Sequence, residues 1–600
     1  MTNYFADNPD LGFRLEHADL ARVVRLREDD YSQAREFTYA PSDYEDAKDS
    51  YRHILAIAGD IAGDFVAPRA EDVDRDGSEL VAGEVCYAPG ISQALDRLQQ
   101  ADLMGMTLPR RFGGLNLPVT VAIMATEVIS RADPALMNVF GLQDIADTVN
   151  KFASEELKKE FLPRFASGEV TGSMALTEPE AGSDLQNIQL KATPLGDGTW
   201  RLDGVKRFIT NGCGQVSLVL ARSEEGTTDA RGLSLFVYER DEHMKIRRLE
   251  DKLGIHGSPT CELQFTAAPA RLVGERRRGL TTYVMSLMNG ARLAIAAQAQ
   301  GIAEAAWRAA EKYAGERVQF GRPIRDITAV MAILADMHVA VEASRALLYE
   351  TSLMVDLKDA LDHRVEQLAE SELRAAGEVG AAAPAAPTAA PTTASADADH
   401  DVKALRAEAK RAGRLAALFT PLCKACATEM ANRVAYDALQ VHGGSGYMRD
   451  FAVERHARDA RITNIYEGTT QLQVVAAIGG VLGGTLSDQL DLYDGRDYAA
   501  TPELLAALRA ARERFGAAVA RVREAGDERF RDFPARRLTD LAIDLVCGYL
   551  LLGDAQRDTR KLLVARHFID GAVERIGGSA ARIVESRPAD LDELPALGRL

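Results

Sequence analysis

Apolar residues recur at two different periods along this chain, and the change of period constrains its fold most. Up to about residue 170 they recur every three or four positions, as in YEDAKDSYRHILAIAGDIAGDFV, ISQALDRLQQADLMGMTL and VTVAIMATEVISRA. That spacing puts apolar side chains on one face of a helix. Between about 171 and 275 the period falls to two. TWRLDGVKRFITNG alternates through Trp200, Leu202, Val205, Arg207 and Ile209, with a hairpin signal at Asp203–Gly204. VSLVLARS, GLSLFVYER, MKIRRLED and CELQFTAA also read as strands. They follow one another without intervening helices, which predicts a sandwich or barrel rather than a parallel sheet.

Helical spacing returns at Leu280, with one long helix running through MNGARLAIAAQAQGIAEAAWRAAEKYAGERVQF. The segment 377–400 is rich in alanine, threonine and proline (Pro384, Pro387, Pro391) and offers no core-forming side chains. It is expected to be a disordered insertion between helices. After about 485 the pattern restarts. Thr501 suits an N-cap and Pro502 suits N1, followed by a stripe of Leu504, Leu508, Ala511, Phe515, Val519 and Val522. Two further helical patterns cover 536–557 and 559–585. The expected fold is therefore α+β and multidomain. It has an N-terminal helical domain (1–170), a central β-barrel or sandwich domain (171–275), a C-terminal helical bundle (276–485) and an extra C-terminal helical bundle (486–600).

At 600 residues the chain exceeds one ordinary core. Its net charge of −18 argues against a nonspecific nucleic-acid or anionic-membrane surface. No secretory leader or membrane-spanning run of ~20 apolar residues is legible, so a cytoplasmic location is expected. Six cysteines in such a length do not suggest a disulfide framework, and the lone C-x-x-C of Cys423 and Cys426 reads as two small side chains in a helix. No metal site is expected.

Five short motifs carry chemistry. In MALTEPEAGSD (174–184), Pro179, Gly182 and Ser183 break regular structure where helices give way to strands, and Thr177 and Ser183 offer hydroxyls. In KRFITNG (206–212), Phe208 and Thr210 share one strand face, an aromatic surface beside a hydroxyl. GERVQFGRPI (315–324) ends a long helix and holds Arg317, a plausible phosphate clamp. LQVHGGSGYMRD (439–450) has Gly443, Gly444 and Gly446, which permit close backbone approach; a helix precedes it, so it is no dinucleotide fingerprint. RITNIYEGTTQLQ (461–473) sets Glu467 between Tyr466 and Gly468, with Thr469 and Gln471 following. Each has a bland reading: a junction loop, core packing, helix-end charges or a helix C-cap.

In this order the five motifs closely resemble the acyl-CoA dehydrogenase family over roughly residues 50–480. The C-terminal addition resembles the larger branch of that family, which includes very-long-chain enzymes and methylmercaptopropionyl-CoA dehydrogenases. KLGIHGSPTCELQF and LMNGARL look most like the latter. The resemblance implies non-covalent FAD and α,β-dehydrogenation of an acyl-CoA thioester to the trans-2-enoyl-CoA. Glu467 matches the base that removes the α-proton while the β-hydride goes to flavin N5. Its N–H matches a donor to the thioester oxygen, and Tyr466 and Gly468 flank it on the substrate side. Met174, Leu176 and Thr177 match residues lining the flavin ring, and Phe208 and Thr210 its edge near N5. Ser183 matches a contact to the FAD phosphate or the CoA arm. Arg317, Gln319 and Phe320 match residues that hold the adenosine diphosphate half of FAD across a subunit interface. Gln440, Gly443, Gly444, Thr469 and Gln471 match the rest of that shared site. Arg292 matches an arginine near the catalytic carboxylate and the CoA arm.

Met174 stands where several relatives have an aromatic residue and Phe208 where many have tryptophan, and Asn289 and Ala291 replace polar or acidic residues of some relatives. The resemblance also implies electron-transfer flavoprotein as acceptor and at least a homodimer. An oxidase of the same fold using O2 would share the glutamate, so the two remain open from sequence. A nucleic-acid-associated flavoprotein of this fold is disfavoured by the charge.

Overall fold

A computed structural model describes residues 2–375 and 402–599; the expected insertion at 377–400 lies outside the described residues. The first part is helical, as its spacing predicts. Asp43 caps Tyr44–Asp60 by accepting from the Asp46 N–H. Val119–Ala132 is buried on nearly every side, which suits a helix apolar all round. A small hairpin, β1 (Glu79–Val81) with β2 (Glu84–Cys86), interrupts this region and was not legible in the sequence.

The period-two region folds into one sheet that closes on itself. It comprises β3 (Gly172–Ala175), β4 (Lys191–Pro194), β5 (Thr199–Thr210), β6 (Val216–Arg222), β7 (Leu233–Glu239), β8 (Met244–Leu249) and β9 (Thr260–Val273). Pairing runs β6–β7–β9–β5–β4 and returns to β6 through Lys191 opposite Arg222. β3 lies parallel to β6, and β8 lies on β9. Of the two expected forms the barrel is the one found, and closure leaves fewer free edges. Trp200, Leu202, Val219, Phe236, Tyr238 and Phe265 share one apolar cluster. Leu218, Leu220, Leu235 and Val237 belong to a second, shared with Phe161 and Phe165 of the helix Glu155–Ala166. β6 is thus buried on both faces, which explains its unbroken VSLVLA.

One expectation fails here. Asp203–Gly204 is no hairpin: β5 runs straight through it. The β4–β5 turn lies at Gly196–Gly198, whose two glycines have φ +89° and +90°. Gly204 instead marks a bulge, at φ +151°, where a Cβ would come within 2.9 Å of Leu190. A second register shift follows between Lys206 and Ile209. Together they change the phase of the strand. Lys206 and Ile209 are buried, while Val205 and Arg207, expected on that face, are only partly so.

Beyond the barrel, Met285–Glu316 packs against Val119–Ala132 and Val402–His442, and Thr328–Ala375 runs beside the latter. Pro502–Glu524, Ala535–Ala555 and Thr559–Glu585 pack on one another. The stripe residues Leu508, Ala511, Phe515, Val519 and Val522 are buried. Ala535–Ala555 docks on Thr470–Leu482 and Thr328–Ala375. Thr501 stands at the expected N-cap position, but its hydroxyl accepts from Gln556 Nε2 at 2.9 Å rather than capping the helix. Cys423 and Cys426 lie within Val402–His442 as expected. Among the described residues no helix is long and apolar enough to cross a membrane.

A buried ionic network joins the ends of the chain to its centre. Arg345 donates to Glu127 (2.8 Å), Glu304 (2.7 Å) and Glu342. Glu342 also pairs with Lys561, which reaches Asp10 at 2.5 Å. Arg14 binds Asp554 through both terminal guanidinium nitrogens. The helix Pro9–His17, the central helices and the C-terminal extension are thereby held in one register.

Candidate active site

Glu467 sits in a tight turn just before the helix Thr470–Leu482, which Thr469 caps by accepting from the Leu472 N–H. Glu467 itself is left-handed at φ +53°, and Gly468 follows at φ +90°. A non-glycine residue at positive φ carries strain of order 1–3 kcal/mol, so the surrounding contacts must enforce the turn. Three side chains do so. Lys424 Nζ donates to the carbonyls of Tyr466 (3.1 Å) and Gly468 (2.7 Å). Gln473 Nε2 donates to the carbonyls of Glu467 (3.3 Å) and Gly468 (2.8 Å). The Tyr466 hydroxyl donates to Gln298 and to Asn138 (3.1 Å), and Gln298 in turn donates to Asn138 at 2.8 Å. The turn is therefore anchored to the helices Val402–His442, Met285–Glu316 and Pro134–Gly141.

The Glu467 carboxylate is left free. Its Oε2 is buried with no hydrogen-bond partner among the described residues. Burial raises its pKa, against the pull of two nearby cations, Lys424 and Arg292. Arg292 is 9% exposed, is oriented by Asn289 Oδ1 at 3.1 Å, and keeps a buried, unpartnered Nε. A carboxylate with a free oxygen, made more basic by burial despite two nearby cations, is suited to accept a proton.

At Gly468 an added Cβ would lie 2.7 Å from Gln473 Nε2, so the side chain that braces the turn would have to shift, and a φ of +90° strains any L side chain. Gly468→Ala is therefore expected to displace the turn and lower turnover by about tenfold or more, since the strain is of order 1–3 kcal/mol. Steady-state kinetics check this; an unchanged kcat would show that the turn tolerates a side chain.

A second cluster joins the first two motifs. The Arg207 N–H donates to the Thr177 carbonyl at 2.9 Å, and Lys206 Nζ donates to the Leu176 carbonyl at 2.7 Å. Lys206 also pairs with Glu178, whose two oxygens accept the N–H groups of Gln189 and Leu190. Burial lowers the Lys206 pKa to about 8, against the opposing effect of Glu178. This pair clamps Leu176 and Thr177 beside Phe208. Phe208 has φ +60° and is 52% exposed. Among the described residues, the Thr177 and Thr210 hydroxyls and the Thr177 N–H have no hydrogen-bond partner. An open aromatic face beside unclaimed donors fits a planar ring with a polar edge, as in a flavin. Met174 is half-buried next to this cluster, and Ser183 is exposed on the loop that follows.

A third cluster joins the third and fourth motifs. Arg317 ends the Met285–Glu316 helix, and Val318–Gln319 pairs with Arg322–Pro323 across a turn at Phe320–Gly321. The sequence suggested a helix continuing to Phe320; positive φ at Phe320 and Gly321 makes a hairpin instead. Phe320 is 91% exposed at its tip. Tyr313 connects the two motifs: its carbonyl accepts the Arg317 N–H, its hydroxyl donates to Ser445, and its ring stacks on His442. Gln440, Gly443 and Gly444 are exposed beside it, and Gln471 is exposed on the Thr470–Leu482 helix. Arg317 has no ion-pair partner among the described residues. No hydrogen bond among the described residues links the Thr177–Phe208 cluster to the Glu467 turn.

Sequence reasoning missed Lys424, Gln473, Gln298, Asn138, Glu178 and Lys206. Only Lys424 left a signal: a lysine inside the apolar run AALFTPLCKACA.

Family models described as the N-terminal, middle and C-terminal domains of acyl-CoA dehydrogenase match residues 48–169, 173–268, and 278–369 with 402–478. A further model, described as acyl-CoA dehydrogenase C terminal, matches 483–586. A 3-methylmercaptopropionyl-CoA dehydrogenase from Ruegeria pomeroyi is 32% identical over 507 residues, covering 79% of this chain and 76% of the relative. The solved butyryl-CoA dehydrogenase of Megasphaera elsdenii is 28% identical, with a TM-score of 0.58, covering 72% of this chain and 98% of its own. An acyl-CoA dehydrogenase of Bacillus anthracis, solved in complex with FAD, shares the fold at 22% identity and a TM-score of 0.70, covering 92% of this chain and 91% of its own.

Proposed function

The chain belongs to the acyl-CoA dehydrogenase family, and on that premise we propose that it dehydrogenates an acyl-CoA thioester between its α and β carbons, with Glu467 as the base. The observation that carries this reading is the free, buried Oε2 of Glu467 in a turn anchored to three helices. Burial raises the basicity of this carboxylate toward that of the substrate proton it must take. The N–H of Glu467 has no partner among the described residues and is available to the thioester oxygen, where negative charge develops as the α-proton leaves. Gly468 leaves space beside the carboxylate, and Arg292 adds positive charge there.

The residues fit FAD. Met174, Leu176, Thr177, Phe208 and Thr210 would hold its ring. Arg317, Gln319, Phe320, Gln440, Gly443, Gly444, Thr469 and Gln471 would hold its adenosine diphosphate half. When bound, FAD supplies the acceptor for the β-hydride. Ser183 would touch the phosphates or the CoA arm. Phe320 reaches away from its own chain, which supports a homodimer in which each hairpin completes its partner's cofactor site. Electron-transfer flavoprotein is the proposed acceptor, and dye reduction without oxygen uptake would set the enzyme apart from an oxidase.

Purified protein is expected to be yellow and to release close to one FAD per chain on denaturation. A folded, colourless protein that fails to take up added FAD would overturn the proposal.

A further inference from the structure

We propose that Lys424 is a positioning residue for this reaction: its ammonium pins the two carbonyls that flank Glu467 and so aims the Glu467 N–H and carboxylate at the substrate. This rests on the reading of Glu467 as the base. Lys424 is fully buried, with 0% of its surface exposed, in the middle of the Val402–His442 helix. A buried ammonium is costly unless its donors are used. Here they reach the carbonyls of Tyr466 (3.1 Å) and Gly468 (2.7 Å), on either side of the catalytic residue.

The geometry has a direct consequence for the donor. In a trans peptide the C=O and the following N–H point in opposite directions. Drawing the Tyr466 carbonyl toward Lys424 turns the Glu467 N–H away from the helix, and that N–H has no partner among the described residues. The same two bonds hold the left-handed backbone at Glu467 and Gly468. The charged groups that act on the carboxylate are Lys424 and Arg292, and Glu467 in turn acts on the Tyr466 phenol. Those that act on Lys424 are Glu467, Arg292 and Glu429. Glu429 lies on the same helix and accepts from Thr470 at 2.6 Å and Asn464 at 3.3 Å, bracing the turn from its other side.

The test compares Lys424→Met, which removes donors and charge, with Lys424→Gln, which keeps a donor without charge, in FAD-loaded protein. Acetoacetyl-CoA, with its acidic α-proton, serves as the probe, because its enolate places charge where the thioester oxygen meets the N–H. Lys424→Met is expected to keep its FAD and weaken enolate binding by about tenfold or more, less than the ~10²–10³ lost when an oxyanion donor itself is removed. Without the nearby cation the Glu467 pKa rises, so the acid limb of the kcat/KM profile moves to higher pH. Lys424→Gln is expected to recover part of the enolate affinity but leave the limb displaced. Wild-type enolate affinity and an unmoved limb in both variants would overturn the proposal. If the Met variant fails to fold, the limb of the Gln variant decides. Glu467→Gln is assayed in parallel: an active Glu467→Gln enzyme would mean that the assignment of the base has failed, and the role of Lys424 with it.

Discussion

Glu467→Gln protein is expected to fold, stay yellow and lose its turnover of acyl-CoA. The amide fills the same space and leaves the turn intact, because Lys424 and Gln473 hold backbone carbonyls rather than the carboxylate. What is lost is the ability to accept the α-proton, and loss of a general base costs ~10²–10⁴-fold. Binding of acyl-CoA should persist, since the Glu467 N–H and Gly468 are unchanged. Steady-state rates alongside FAD content check this. Turnover close to that of the wild type would place the base on another residue.

The second large effect is on stability. Arg345→Met removes the one cation among the described residues that faces Glu127, Glu304 and Glu342 together, where each is at most 3% exposed. Breaking a buried ionic group by removing one partner typically costs ~3–5 kcal/mol, because the remaining charges are stranded. Burial alone would raise the pKa of Glu304 and Glu342; Arg345, with Arg308 and Lys561 respectively, outweighs it and holds both well below the usual carboxylate range. Glu127 goes the other way, since burial outweighs Arg345 and Tyr349 there. For Glu304 and Glu342 the sign is clear: a lowered folded pKa adds stability above the unfolded value, and this is lost as pH falls through the folded one. Wild-type protein is therefore expected to lose thermal stability below about pH 4.5. The Met variant is expected to unfold at a markedly lower temperature at pH 7 and to lose this acid dependence. Scanning calorimetry of both proteins at pH 7 and pH 4 reads the difference; equal unfolding temperatures at pH 7 would show that the network contributes nothing net.

Much of this was readable in the chain because the underlying signals are local. The change of period marked the barrel, and the five short motifs marked Glu467; the left-handed turn at Glu467 and Gly468 and its Thr469 cap are legible only in the structure. Phase within a strand is not local. Two bulges in β5 put Lys206 where Val205 and Arg207 are expected, while Ile209 stays buried, and nothing in the spacing announces a bulge except Gly204, whose Asp–Gly pair also signals a hairpin. Buried charge is also not local. Lys206 looks like a surface lysine until Glu178, 28 positions earlier, is folded onto it. Lys424 stands in an apolar run, but nothing near it in sequence says what it binds. Its partners are backbone carbonyls 42 and 44 residues away, which leave no mark on side-chain composition.

The central claim is tested most directly by mixing the FAD-loaded protein with saturated acyl-CoA thioesters of different chain lengths under anaerobic conditions and following the flavin absorbance. At least one thioester is expected to bleach the flavin stoichiometrically and to be recovered as its trans-2-enoyl-CoA, while Glu467→Gln protein bound to the same thioester does not bleach. A loaded, folded protein that no acyl-CoA reduces, or one whose Glu467→Gln form is reduced at the wild-type rate, would contradict it.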